Sequence, residues 1–253
     1  MVEDIEIERI LVALDSALRG DALLEAAARL AAIADAELTA LFVEDAELLQ
    51  LAALPFAREL DRTSAALREL VPDSLERELQ AQARRLHRCV EGLGERHGIR
   101  ANLRVLRGEL ATAALAEAAE RDLLFFGAGA QVRVSRRAVQ RFDVPGDAPV
   151  CVYSDDTATA RRALHLAGAW ARQWGRRLRI LAPPDDKTLT AVRTAGATNA
   201  EVVVLPETGE AALRAILARH KNALLVLPRS LDVARLRRGG VLDAVSCPVV
   251  MVS

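Results

Sequence analysis

The sequence predicts an α/β protein made of two tandem open parallel-sheet units with about nine strands between them. Short, continuous apolar runs alternate with stretches of helical period, the pattern of strands covered by helices on both faces. Candidate strands begin near Ile10, Leu38, Leu103, Leu123, Val150, Leu178, Val202, Leu224 and Val249. The chain also matches itself at fixed offsets, which is what divides the strands into two sets.

Adding 140 to a position near the start carries Leu11, Val12 and Asp15 onto Cys151, Val152 and Asp155. It carries Leu24, Ala27, Leu30, Ala31 and Ala34 onto Leu164, Ala167, Trp170, Ala171 and Trp174, and Leu38 and Leu41 onto Leu178 and Leu181. In each copy a β-rich run reaches an Asp, an amphipathic helix follows, and a second strand begins, which is a βαβ unit. An offset of 101 then places Gly108 and Glu109 on Gly209 and Glu210, and Leu123 to Phe126 on Leu224 to Leu227. The two offsets differ by 39, so the first copy holds about 39 residues that the second lacks. The expected units are 1–145, carrying a long helical insertion at 45–98, and a shortened 146–253.

Within the insertion Leu75, Leu79, Leu86, Val90 and Leu93 share one helical face from Asp73 to Gly94, with Gly98 as the stop. Leu48, Leu49, Leu51, Leu54 and Phe56 surround Pro55 and read as a helix hairpin that covers the sheet, the alternative being a partner-facing lid. The corresponding stretch of the second copy, Pro183 to Glu201, is short and polar. The segment Ala148 to Tyr153 fits two places, as the closing strand of the first unit or the opening strand of the second. Asp155 and a full amphipathic helix follow it, so it is assigned to the second unit, leaving the first without a fifth strand or borrowing one.

Composition removes several function classes. Basic and acidic residues balance at 34 and 35, and aromatics are 3%, so neither an electrostatic footprint for nucleic acid nor stacking platforms are expected. The acidic start, Met1 to Arg9, lacks the basic region and apolar run of a secretory signal, and no segment has the length of a membrane span. A cytoplasmic protein is the expectation. Cys89, Cys151 and Cys247 are odd in number and far apart, and read as buried thiols. All the basic residues except Lys187 and Lys221 are arginine, which with the alanine content resembles the coding bias of a GC-rich bacterial genome.

The order and spacing of these elements resemble the universal stress protein family. Ile10 to Asp15, the helix Ala22 to Ala34 and Glu37 to Val43 resemble its first strand, first helix and second strand. Arg107-Gly108, the helix Ala111 to Glu120 and Asp122 to Gly127 resemble its third strand, third helix and fourth strand, and Cys247 to Val252 its closing strand. The resemblance implies a Rossmann-like, adenine nucleotide α-hydrolase-like fold in each unit, ten strands in all where nine are found. It also implies an intrachain pseudo-dimer of the two units, with a homodimer left open and protein partners unspecified.

Nucleotide-binding members resemble one another in a glycine loop after the fourth strand, G-x-x-G followed by Gly-Ser or Gly-Thr, whose backbone N–H groups reach phosphate. Here Gly127 and Gly129 are present, but Ala130 takes the second glycine position and Gln140-Arg141 the Gly-Ser position. The second unit has Pro228 and Leu231 at the two glycine positions. What remains is a crevice at the strand ends of the first unit, with Asp15, Val43, Gly108, Gly127 and Gly129 as candidate nucleotide contacts. The resemblance gives Asp15 contact with adenine and Val43 a backbone contact, Val43 being read as the end of the second strand. The stronger reading of Asp15 with Ser16 is that they simply turn the chain and cap the helix, and for Asp155 and Asp156 it is stronger still.

Arginines gather after both fourth strands: Arg133, Arg136, Arg137 and Arg141, then Arg229, Arg235, Arg237 and Arg238. They read as a solvated surface run, or as a weak phosphate site replacing the glycine loop. His87 and Cys89, two apart on a helix, cannot share a metal, and His165 and His220 have no partner set by a motif. Trp170 and Trp174 occupy stripe positions and are expected in the core or at the seam. The expectation is therefore a non-catalytic stress-response protein acting through protein partners, its ATP-binding motif degenerate. The alternative is an adenine-nucleotide-binding regulator with one site in the first unit. No cofactor is certain, ATP and AMP being the candidates, and a nucleotide hydrolase has almost no residue support.

Overall fold

The computed structural model describes residues 7–16, 20–54, 56–60, 67–69, 71–126, 149–155, 157–185, 200–205, 223–229, 231 and 249–252. The first half supplies β1 (Arg9–Asp15), α1 (Asp21–Ala34), β2 (Glu37–Asp45), α2 (Ala46–Ala52), β3 (Arg58–Leu60), β4 (Leu67–Glu69), α3 (Pro72–His97), β5 (Ala101–Gly108), α4 (Leu110–Glu117) and β6 (Asp122–Phe126). The second supplies β7 (Val150–Tyr153), α5 (Ala158–Gln173), β8 (Leu178–Ala182), β9 (Ala200–Val204), β10 (Leu224–Pro228) and β11 (Val249–Val252). All nine expected strands are present. The 145/146 boundary lies outside the described residues.

The nine strands form one continuous sheet, ordered β5-β2-β1-β6-β11-β10-β7-β8-β9, rather than two separate ones. Pairing is parallel throughout except where β11 meets β6. Ile10 faces Leu38 and Leu123, while Val150 faces Leu178 and Leu224, so the pairings of the two halves are related by the offsets 140 and 101. At the outer strands Leu38 faces Ala101 and Leu178 faces Ala200, an offset of 99. β7 lies between β10 and β8, so the ambiguous segment at 150–153 is built into the second half. The edge of β6 is filled by β11, with Phe126, Phe125, Leu124 and Leu123 opposite Val249, Val250, Met251 and Val252. All eight side chains are buried, so the junction removes two sheet edges and fills both faces at once.

One face is covered by α1, α3 and α5, which pack on Ile10, Val12, Leu14, Leu38, Phe42, Phe125, Val150, Val226 and Val250. On the other, α4 packs against β1, β2 and β5, and its Ala111 and Ala114 belong to one cluster with Leu11, Ala13, Leu124, Phe126, Cys151 and Met251. The antiparallel junction points the strand ends of the two halves in opposite directions.

The insertion departs from expectation in one part. The helix at Asp73 to Gly94 is α3, with Leu79, Leu86, Val90 and Leu93 buried and Gly98 closing it in the left-handed conformation at φ 66°. The apolar stretch before it is not a helix hairpin. It forms the seven-residue α2, followed by the antiparallel pair β3 and β4, whose three-residue length is too short for alternation to be read. Nor does all of it cover the sheet: Leu49 packs on the core, but Leu51, Leu54 and Phe56 are exposed, Phe56 at 76%.

Cys151 is fully buried, and loss of hydration pushes its thiol up to about 11, Arg179 opposing and Glu201 assisting. Burial also raises Cys89, which is half-buried in α3; Cys247 lies outside the described residues. A thiol protonated in the native state but titrating near 9.0 when unfolded contributes stability in full below pH 9. That contribution is lost as pH rises from 9 to about 11. A fall on the order of 2 kcal/mol across this range is expected in urea melts. Cys151→Ala should flatten this limb; an unchanged limb would assign it to other groups.

Candidate functional site

Three strands of the first half end together. Asp15 lies opposite Val43, Val43 opposite Leu106, and Asp45 opposite Gly108. The Asp15 side chain is half-exposed at the end of β1. Gly108 has φ 149°, a conformation that favours glycine, and a Cβ there would meet open space, so conformation rather than room sets the residue. Val43 differs from expectation. It does not close β2, because pairing with β5 carries that strand on to Asp45; its side chain is buried, with a strand on either side. Asp45 instead caps α2, its Oδ1 accepting from the N–H of Glu47 at 2.8 Å and of Leu48 at 3.3 Å. Arg107 donates to Glu44 Oε2 at 3.1 Å beside it. Gly127 and Gly129 lie outside the described residues.

The two halves start their helices differently. In the first, the cap of α1 is Gly20 with no side-chain bond, so neither Asp15 nor Ser16 caps it. Gly20 sits tightly against β1, since a Cβ there would lie 2.4 Å from Leu14 Cδ2. The Ser16 carbonyl accepts from Gln82 Nε2 of α3 at 3.2 Å. In the second half Thr157 caps α5, its Oγ1 accepting from the Ala160 N–H at 3.2 Å. Asp155 is fixed within that cap, accepting from Thr157 Oγ1 at 2.6 Å and Thr157 N–H at 3.3 Å. Asp156 lies outside the described residues. Burial raises the Tyr153 hydroxyl, and the carboxylates of Asp155 and Asp185 add to it, so negative charge gathers at this strand end.

Of the loop arginines, Arg229 alone falls among the described residues. Its guanidinium donates to the carbonyls of Ala118 at 2.9 Å and Leu115 at 3.1 Å, closing the end of α4 across the junction. Arg162 of α5 donates to Glu120 O at 3.3 Å nearby.

The sequence matches no protein-family model, and no curated protein matches it. Among solved structures, the fold is similar to a universal stress protein from Archaeoglobus fulgidus, at TM-score 0.54 and 15% identity over 98% of this chain and 97% of that one. A putative universal stress protein from Pseudomonas aeruginosa aligns at TM-score 0.45 and 12% identity over 98% and 94%.

The chain has the universal stress protein fold.

In this universal stress protein fold the remaining described candidates lie on α3 and on α5 or its end. His87 is exposed and pairs with Glu91 at 3.1 Å, away from half-buried Cys89. His165 is exposed on α5, and His220 is outside the described residues. Trp170 is buried; Trp174 stacks on it at 5.6 Å between ring centroids but is 38% exposed, with the Arg176 guanidinium 5.5 Å from its ring centroid. Among the described residues no His, Cys, Asp and Glu group could hold a metal, and no helix is long and apolar enough to cross a membrane. Sequence reasoning missed Gln82, Asp45 and the bond made by Arg229. Asp45-Ala46-Glu47 carried a readable cap signal; the other two are contacts between residues 66 and more than 100 apart.

Proposed function

We propose that this chain is a non-catalytic stress-response regulator of the universal stress type, acting through protein partners, with nucleotide binding lost from its second half. The observation that carries the reading is that polar groups at the second strand end are already spent: Asp155 on the cap of α5 and Arg229 on the end of α4. Pro228 ends β10 where a glycine would offer a donor to phosphate. Exposed Leu51, Leu54 and Phe56 supply apolar surface in the insertion, in keeping with action through partners. Photo-crosslinking with an azido-ATP followed by peptide mapping tests the loss: no label within 146–253 is expected, and a label there displaced by ATP would overturn it. Phosphate release from ATP that Asp15→Ala abolishes would overturn the non-catalytic part.

A second reading, a single adenine-nucleotide site for ATP or AMP in the first half, is favoured by the contrast between the two aspartates. Asp15 is at the strand end but not in the helix cap, whereas Asp155 is held in one. The fold likeness and the gathering of Asp15, Val43 and Gly108 at one end of the sheet support it. Asp15→Ala is then expected to weaken ATP or AMP binding about tenfold by calorimetry, the loss of one charge-assisted hydrogen bond. Equal affinity in the variant and the parent would remove Asp15 from the site.

A further inference from the structure

We propose that Gln82 is a positioning residue for the first-half strand end: through it the inserted helix α3 holds the backbone that follows Asp15, and so sets how Asp15 is presented to a nucleotide. The inference rests on the second reading above. Ser16 is the residue directly after β1, and its carbonyl receives the Gln82 amide at 3.2 Å from 66 residues away. Gln82 shares a helix face with Leu79 and Leu86, three and four residues to either side, and both are buried. A rotation of α3 that withdrew Gln82 would therefore expose them. The far end of the helix is held as well, since Arg96 and His97 reach Glu25 of α1 at 2.9 and 3.1 Å. Ser16 is thus held by Gln82, and Gly20, the cap of α1, lies close against Leu14. In the second half the Thr157 side chain caps α5 itself. In the first half α1 has no side-chain cap, and the contact comes from the insertion.

The requirement is a donor of the right reach. Gln82→Met keeps the volume and removes the donor; Gln82→Lys keeps a donor. In the full chain without ligand, Gln82→Met is expected to speed amide exchange at Asp15 and Ser16 about five- to tenfold, the equivalent of one hydrogen bond, leaving α5 unchanged. Gln82→Lys should restore the protection. ATP or AMP affinity measured by calorimetry should fall about fivefold in Gln82→Met. Unchanged exchange at these amides, equal acceleration throughout β1 and α1, or unchanged affinity where the parent binds would each overturn the positioning role. A parent that binds neither ATP nor AMP overturns the nucleotide reading beneath it, a result separable from the exchange measurement.

Discussion

Val250→Asp is expected to destabilise both halves of the chain together. Val250 is fully buried in β11, opposite Val226 of the second half and Phe125 of the first. It belongs to the same core cluster as Val12 and Phe42 on one side and Val150 and Val226 on the other. A carboxylate placed there has no cation to meet among those neighbours, and an unpaired buried charge costs about 3–5 kcal/mol, a large share of the 5–15 kcal/mol that stabilises an ordinary domain. Because β11 is hydrogen-bonded to β6 and β10 at once, the damage is not confined to the half that contributes it. Circular dichroism in urea should show loss of native structure in a single step at a lower midpoint than the parent's. The milder Val250→Ala should lower stability by about 2 kcal/mol with one urea transition still serving the whole chain. Two transitions, one of them unmoved, would show that the junction does not couple the halves.

Arg9→Ala comes next in expected size. Arg9 and Asp122 open the neighbouring strands β1 and β6 and lie opposite each other. The guanidinium reaches Asp122 Oδ2 at 2.6 Å and Oδ1 at 3.3 Å, and donates to Glu117 O at 3.0 Å. Hydrogen bonding to Asp122 holds the Arg9 guanidinium above its ordinary value, although burial opposes it. Asp122 is only 4% exposed, so removing its cation strands a carboxylate whose other bond is to the Ala119 N–H at 2.7 Å. The expected cost is about 3 kcal/mol in urea melts, nearer the breaking of a buried pair than the near-zero value of a surface bridge. Arg9→Lys keeps the charge but not the planar fork and should cost roughly half as much. A change below about 0.5 kcal/mol for Arg9→Ala would place the pair among the solvent-screened bridges.

Particular residues show how much could be read in advance. The strand set was legible because its members are short runs of Val, Ile, Leu and Phe separated by helical periodicity, and α3 because Leu79, Leu86, Val90 and Leu93 keep one face and Gly98 ends it. The pair β3 and β4 was not, because three residues do not establish a period. At the candidate site the sequence placed Asp15, Val43 and Gly108 at strand ends, and the pairing brings them together. It could not show that β2 runs past Val43, since that depends on β5 staying paired as far as Gly108. Asp15 and Asp155 occupy matching positions, yet one stands outside the helix cap and the other is fixed within it, because the residue two places on is a threonine only in the second copy.

By itself the sequence determined the α/β class and the nine strands, since each follows from local periodicity. The tertiary structure alone decided that the nine strands make one sheet, with β11 set against β6 in the opposite direction. It also decided that Arg229 closes α4 and that Gln82 holds Ser16. These are choices of partner between residues far apart in the chain. Periodicity fixes which face of an element seeks burial; only assembly fixes which edge, carbonyl or carboxylate it finds there.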